Sequence, residues 1–201
     1  TLHGACKDWT IIYIPKEGDI RFESAEGFLG KGNMETAVML HEKYGDKVSL
    51  ALCSNVGEYQ GLMAGIAFSD PENRPERLAA RGGVGAVMGS KKVKAIICEK
   101  HKLPPFKERK KVIMAVRDYG KKLDEQPAIH NMRNYGTSMM GDVMNHMGGI
   151  PVRSFSSGQV VDKTKEAFKL GGEYIRNQNL ERGGETTHAC MPGCQIQCSN
   201  I

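Results

Sequence analysis

The sequence predicts an α+β protein in which a β-rich, mixed α/β half-domain over residues 1–100 precedes a mainly helical domain segment over residues 101–201. Three observations predict it. Short β-branched and aromatic runs alternate with turn residues as far as Cys98. The pair Pro104-Pro105 then punctuates the chain. Beyond it, apolar residues recur at the helical period instead of in runs.

Trp9 to Pro15 is a β-branched and aromatic strand closed by proline, and Lys16-Glu17-Gly18-Asp19 is turn chemistry. Ile20 to Glu23 alternates as a second, half-exposed strand. Asn33 is placed to cap a helix over Met34 to Tyr44, with Ala37, Leu40, His41 and Tyr44 at helical spacing and Gly45 as the stop. Val48 to Cys53 reads as a buried strand, and Leu62 to Phe68 as another short apolar element. Asp70 to Arg77 is a polar, proline-containing loop, and Val93 to Cys98 is a further strand. In the second part, Val112, Val116, Tyr119 and Leu123 mark an amphipathic helix on Lys107 to Glu125, its basic face solvated. Thr137 or Ser138 caps a helix that ends at Gly148-Gly149, with Pro151 barring its continuation. The methionine stripe Met139, Met140, Met144 and Met147, with Val143, reads as adaptable core packing, and His146 as a packed or surface histidine.

Bulk properties narrow the function classes. Hydrophobic content of 40% and charged content of 25% are those of a globular protein of one or two domains. The net charge of +5 is dispersed, and suits an anionic small cofactor as well as nucleic acid. A zinc-stapled nucleic-acid-binding domain would use the lysines but would want aromatic platforms, and aromatics are 6%. No apolar run reaches membrane-spanning length and no signal peptide opens the chain, which reads as cytoplasmic. The chain opens at Thr1 without methionine and closes just past a cysteine cluster, so it reads as a fragment of a longer polypeptide.

Two stretches carry chemistry. The first runs from Ala80 to Ile97 and places Arg81, Gly82, Gly83, Gly85, Gly89 and three lysines around small apolar residues. Dense glycines let the backbone approach a ligand and adopt positive φ, and bare N–H groups beside an arginine favour phosphate. It is not a P-loop, because Gly85 and Gly89 are separated by three residues and Ser90 precedes the lysine. Nor is it a dinucleotide fingerprint, because Met88 stands where the third glycine belongs. The plainer reading is a tight turn under a solvated basic patch.

The second stretch is His188-Ala-Cys-Met-Pro-Gly-Cys-Gln-Ile-Gln-Cys198. Cys190, Cys194 and Cys198 lie on a Pro-Gly-bent loop with C-x3-C-x3-C spacing. Short spacing with a distant fourth cysteine is how cubane iron–sulfur clusters are commonly held. Structural zinc competes but wants two pairs, and free thiols are the third reading. Cys6, Cys53 and Cys98 are isolated and read as core residues.

The run Arg81 to Ile96, the Tyr135-Gly136-Thr137 block with its following Gly-x-x-Pro and arginine, and the cysteine triplet occur in the order seen in the tungsten-dependent aldehyde ferredoxin oxidoreductase family. The resemblance extends from about Asp8 to Cys198; the commoner family spacing is C-x2-C-x3-C, so Cys190 stands one residue out of place. It implies that the first part is the end of a base domain supporting a tungsten (or molybdenum) bis-pterin, with Arg81, Gly82, Gly83 and Gly85 at the cofactor phosphates or at a magnesium ion bridging them. It implies a 4Fe-4S cluster on Cys190, Cys194 and Cys198, its fourth ligand and the catalytic residues lying elsewhere. The implied activity is oxidation of a small aldehyde to a carboxylic acid with ferredoxin as electron acceptor, in a homodimer without nucleic acid or a membrane span. An iron–sulfur electron-transfer module without its own catalysis is the rival; it explains the cysteines and leaves the glycine turn idle.

Overall fold

A computed structural model describes residues 3–102, 104–162 and 166–199. The chain divides into two compact units, Thr1–Pro104 and Pro105–Ile201.

The first unit is built on a six-stranded mixed sheet in the order β2-β1-β6-β3-β4-β5. Its strands are β1 (Thr10–Ile14), β2 (Arg21–Ser24), β3 (Val48–Cys53), β4 (Ile66–Phe68), β5 (Arg77–Ala79) and β6 (Val93–Glu99). β1 and β6 run parallel, and the other neighbours are antiparallel. The sheet is apolar on both faces, which is why its central strands read as continuous apolar runs. Ile11, Tyr13, Val48, Leu50, Leu52, Ala95 and Ile97 face one core, joined by Ala37 and Leu40 of helix α1 (Asn33–Tyr44). Ile12, Cys53, Met88 and Val93 form a second core, to which helix α3 (Val84–Ser90) contributes Met88. The short helix α2 (Asn55–Glu58) follows β3 and starts on Ser54, whose hydroxyl accepts from the Gly57 N–H.

Where β1 meets β6 the pairing passes from Thr10↔Val93 to Ile11↔Ala95, skipping Lys94. Such an irregularity re-aims a side chain. Lys94 is 0% exposed and its ammonium meets Glu58 at 2.5 Å and the Lys31 carbonyl at 3.4 Å. The other Glu58 oxygen accepts from the Gly30 N–H at 2.8 Å. One buried ion pair thus ties β6, α2 and the loop before α1 together. It removes Lys94 from the basic patch expected around the glycine turn.

Three other expectations change here. Gly32, not Asn33, is the N-cap of α1; Asn33 is the first helical residue, and its side-chain oxygen is buried without a hydrogen bond. Gly45 does stop the helix, at φ 81°. The apolar element from Leu62 is strand only over Ile66–Phe68, while Leu62 and Met63 are 89% and 92% exposed. Cys98 is exposed at the end of β6, whereas Cys53 is buried as expected.

The second unit contains α4 (Arg109–Asp124), α5 (Pro127–Tyr135), α6 (Met139–Met147) and α7 (Gly172–Glu181). Pro127 opens α5 at a position where its missing N–H costs nothing. α4 has the expected amphipathic pattern, yet no residue of it is buried, and Val116 and Tyr119 are exposed. On α6 the methionine stripe is only partly covered: Met140, Val143 and Met147 are exposed, and the buried residue is Asn145. Its amide donates to the Val161 carbonyl at 2.8 Å and accepts from the Val160 N–H at 2.8 Å. Asn145 therefore fastens the segment that follows Pro151. Asp142 on the same helix accepts from the Gly172 N–H at 2.8 Å and so caps α7. Among the described residues, no helix is long and apolar enough to cross a membrane.

Candidate functional site

The arginine–glycine turn joins β5 to α3. Gly82 and Gly83 both take positive φ, 76° and 64°, and Gly83 is the left-handed N-cap of α3. A side chain at Gly83 would place its Cβ 2.5 Å from the Leu62 carbonyl oxygen, so glycine is required there twice over. At Gly82 the space is open and the requirement is conformational only. Among the described residues, no hydrogen bond engages the N–H groups of Gly82, Gly83 or Val84. Arg81 is exposed, and among the described residues its guanidinium has no ion pair.

Gly85 and Gly89 do something else. They lie four residues apart on one face of α3. The Gly85 N–H donates to the Ala64 carbonyl at 2.8 Å, and a Cβ there would meet the Gly65 oxygen at 2.4 Å. A Cβ at Gly89 would fall 1.8 Å from the Gly57 oxygen. Both glycines bring α3 against the backbone of residues 57–65, and that seating fixes the turn before it. Lys91 is exposed, and the Lys92 ammonium donates to the Lys7 carbonyl at 2.7 Å.

Beneath this turn lies Cys53, whose thiol points at the Gly85 carbonyl at 3.7 Å. Burial pushes it up to about 11, against a smaller downward pull from Lys94. It is a neutral packing group.

The cysteine loop forms a separate feature in the second unit. His188 and Ser199 close it with a two-bond bridge, N–H to carbonyl at 3.0 and 3.3 Å. Met191-Pro-Gly-Cys194 makes a tight turn, with the Cys194 N–H on the Met191 carbonyl at 3.2 Å and Gly193 at φ 80°. Proline second and a positive-φ glycine third is type II turn chemistry. Cys190 is exposed, Cys194 and Cys198 are half-buried, and all three thiols are free. Among the described residues, the three sulfurs do not all lie within 4.8 Å of one another. Thiolates sharing one tetrahedral zinc would stand about 3.8 Å apart, given Zn–S near 2.3 Å. Cubane ligands, each on a different iron, are spread more widely. The donor set, three free thiols on a closed loop, fits such a cluster.

Sequence reasoning missed the group that holds this loop. The Gln195 side-chain amide donates to both oxygens of Asp124 at 3.0 Å, and the Gln195 carbonyl accepts from Arg133 at 2.8 Å. The same Arg133 nitrogen donates to Asp124 at 2.8 Å. Hydrogen bonds from Arg133, then Gln195, hold the Asp124 carboxyl below its ordinary range. No local spacing signals it, because Asp124 and Arg133 lie 71 and 62 residues from Gln195.

Residues 1–100 match the aldehyde ferredoxin oxidoreductase N-terminal domain, and residues 114–201 match domains 2 and 3 of the same family. The chain is 35% identical over 185 residues to the tungsten-containing aldehyde ferredoxin oxidoreductase of Pyrococcus horikoshii, covering 91% of this chain and 29% of that protein. Against the Pyrococcus furiosus protein of the same name it is 33% identical over 195 residues, covering 96% and 30%. The chain thus spans about three-tenths of the length of these relatives. Among solved structures, the active-site complex BamBC of benzoyl coenzyme A reductase, in complex with 1,5-dienoyl-CoA, superposes with a TM-score of 0.68 at 20% identity. That match covers 98% of this chain and 30% of that one, and it speaks for the fold. With consecutive parts of one family matched across both of its units, the chain belongs to the aldehyde ferredoxin oxidoreductase family.

Proposed function

We propose that this chain supplies the phosphate-holding and cluster-holding parts of a cytoplasmic oxidoreductase that converts small aldehydes to carboxylic acids with ferredoxin as electron acceptor. The observation that carries the reading is the match of both units to consecutive parts of one family whose named relatives are tungsten-containing aldehyde ferredoxin oxidoreductases. When bound, a tungsten or molybdenum bis-pterin supplies the two-electron redox chemistry. The chain's own residues bind and orient. Arg81 pairs with a cofactor phosphate through its planar fork. The N–H groups of Gly82 and Gly83 approach the same anion or a magnesium ion's phosphate shell, with Gly85 seating α3 behind them. Cys190, Cys194 and Cys198 are three of the ligands of a 4Fe-4S cluster. The chain by itself turns over no aldehyde, and a homodimer is the assembly we assign to the whole enzyme.

The test is elemental analysis of the native protein purified without oxygen, paired with aldehyde-dependent reduction of a viologen dye. Tungsten or molybdenum with about four irons per polypeptide and dye reduction are the expected result. Iron alone would replace the reading with an electron-transfer module. Zinc alone would make the cysteines structural and overturn both assignments.

A further inference from the structure

Asp124 ends α4, where the negative pole of the helix dipole disfavours a carboxylate. A lysine there would suit the helix better, as Lys121 and Lys122 in the same turn do. What the carboxylate gains is a set of bonds to other elements. It receives Arg133 from α5 and both hydrogen bonds of the Gln195 amide, while the Asp124 backbone carbonyl meets His130 at 2.5 Å. Arg133 in turn spans Asp124 and the Gln195 carbonyl from one nitrogen.

Gln195 follows Cys194 directly and precedes Cys198 by three residues. The His188–Ser199 bridge closes the loop at its base, and the Pro192-Gly193 turn shapes its tip. Gln197 is held at a positive φ of 52°, a conformation that a non-glycine residue keeps only when its surroundings impose it. Three hydrogen bonds meet at one residue that lies between two candidate ligands. Charge-assisted bonds of this kind are about twice as strong as neutral ones.

We propose that Asp124 and Arg133 are positioning residues of the cluster: acting through Gln195, they set the direction in which Cys194 and Cys198 present their thiolates. The inference rests on the iron–sulfur reading of the loop. Partners that orient metal ligands typically contribute about 10- to 100-fold in metal affinity. The experiment uses the native protein, anaerobically purified, with Asp124→Ala, Gln195→Ala, Arg133→Lys and the helix control Asp118→Ala. Iron release to a chelator and the electron paramagnetic resonance spectrum of the dithionite-reduced cluster are recorded beside the thermal midpoint.

Asp124→Ala and Gln195→Ala should each release iron about tenfold faster or more and shift the resonance line shape. Arg133→Lys should stay close to wild type, because both bonds of Arg133 leave one nitrogen and an ammonium can donate to both acceptors, and Asp118→Ala should match wild type. Gln195→Ala removes only a half-exposed side chain, so it reports even if Asp124→Ala folds poorly. A wild-type protein with a cluster, and variants with unchanged iron release and spectrum, would overturn the positioning role while leaving the cluster assignment standing. A lowered thermal midpoint with an unchanged spectrum would do the same. A wild-type protein without iron would overturn the cluster reading, and this inference with it.

Discussion

Gly89→Ala should destabilise the first unit although it replaces glycine inside a helix. Alanine is favoured there by about 1 kcal/mol on propensity alone. Against that, the new Cβ would lie 1.8 Å from the Gly57 carbonyl oxygen and 2.7 Å from its carbon. A carbon–oxygen contact settles near 3.3 Å, so α3 and α2 would have to separate by about 1.5 Å. The Gly85–Ala64 hydrogen bond, 2.8 Å long, would be stretched beyond bonding range, leaving a buried donor unpaired. That loss is about 1–3 kcal/mol, and loosening Met88 in the second core adds about 1–2 kcal/mol. The net cost is about 2 kcal/mol after the propensity gain. With a urea m-value of about 2 kcal/mol per molar, the unfolding midpoint should fall by about 1 M. Trp9 is the single tryptophan and packs against the sheet core, so its fluorescence reports this unit. Gly120→Ala on α4 is the contrast: nothing lies within 4 Å of its Cβ. It should stabilise α4 by about 0.5–1 kcal/mol, read by circular dichroism. An unchanged or raised midpoint for Gly89→Ala would refute the argument from close approach.

Two further outcomes follow from buried groups. Lys94→Met leaves the Glu58 carboxylate facing an apolar side chain and should cost about 3–5 kcal/mol, whereas Lys94→Met with Glu58→Gln should recover most of it; a double variant no better than the single one would deny the coupling. The Cys53 thiol, raised to about 11, keeps about a thousandth of its molecules ionised at pH 8, against about a quarter for an ordinary thiol. In metal-free protein, iodoacetamide should therefore label exposed Cys98 and Cys190 first and buried Cys53 far more slowly. Because the folded pKa is raised, this thiol's contribution to stability is complete below the ordinary thiol range and is lost as pH climbs toward 11. Mass mapping that finds Cys53 alkylated alongside Cys98 would contradict its burial.

Strands and helix ends were legible wherever the local pattern matched the burial. β3 and β6 read as apolar runs because both faces of the sheet are covered, and Gly45 announced the end of α1 as a glycine, which takes the positive φ there. Lys94 looks like surface charge in the sequence, since the irregular pairing that turns it inward depends on β1 and on a carboxylate 36 residues away. The α4 stripe of Val116 and Tyr119 had the period of a buried face, and period alone does not say that anything covers it. Asp124 and Arg133 escaped notice for a similar reason. Their meeting with Gln195 spans 71 and 62 residues, and no local spacing encodes it.

The glycine stretch shows what residue type can and cannot tell. Read as composition, Gly82, Gly83, Gly85 and Gly89 are one signal of backbone freedom near a ligand. In three dimensions they answer two different demands. Gly82 and Gly83 supply left-handed backbone, and Gly83 also clears the Leu62 carbonyl. Gly85 and Gly89 need no special φ; they need the absence of a side chain, because another backbone passes within contact distance. The second demand serves the first. A helix seated directly on residues 57–65 holds the turn before it in place, and the proposed anion site would need that rigidity. On the proposed phosphate role, Arg81, Gly82 and Gly83 would meet the anion while Gly85 and Gly89 hold the helix behind them.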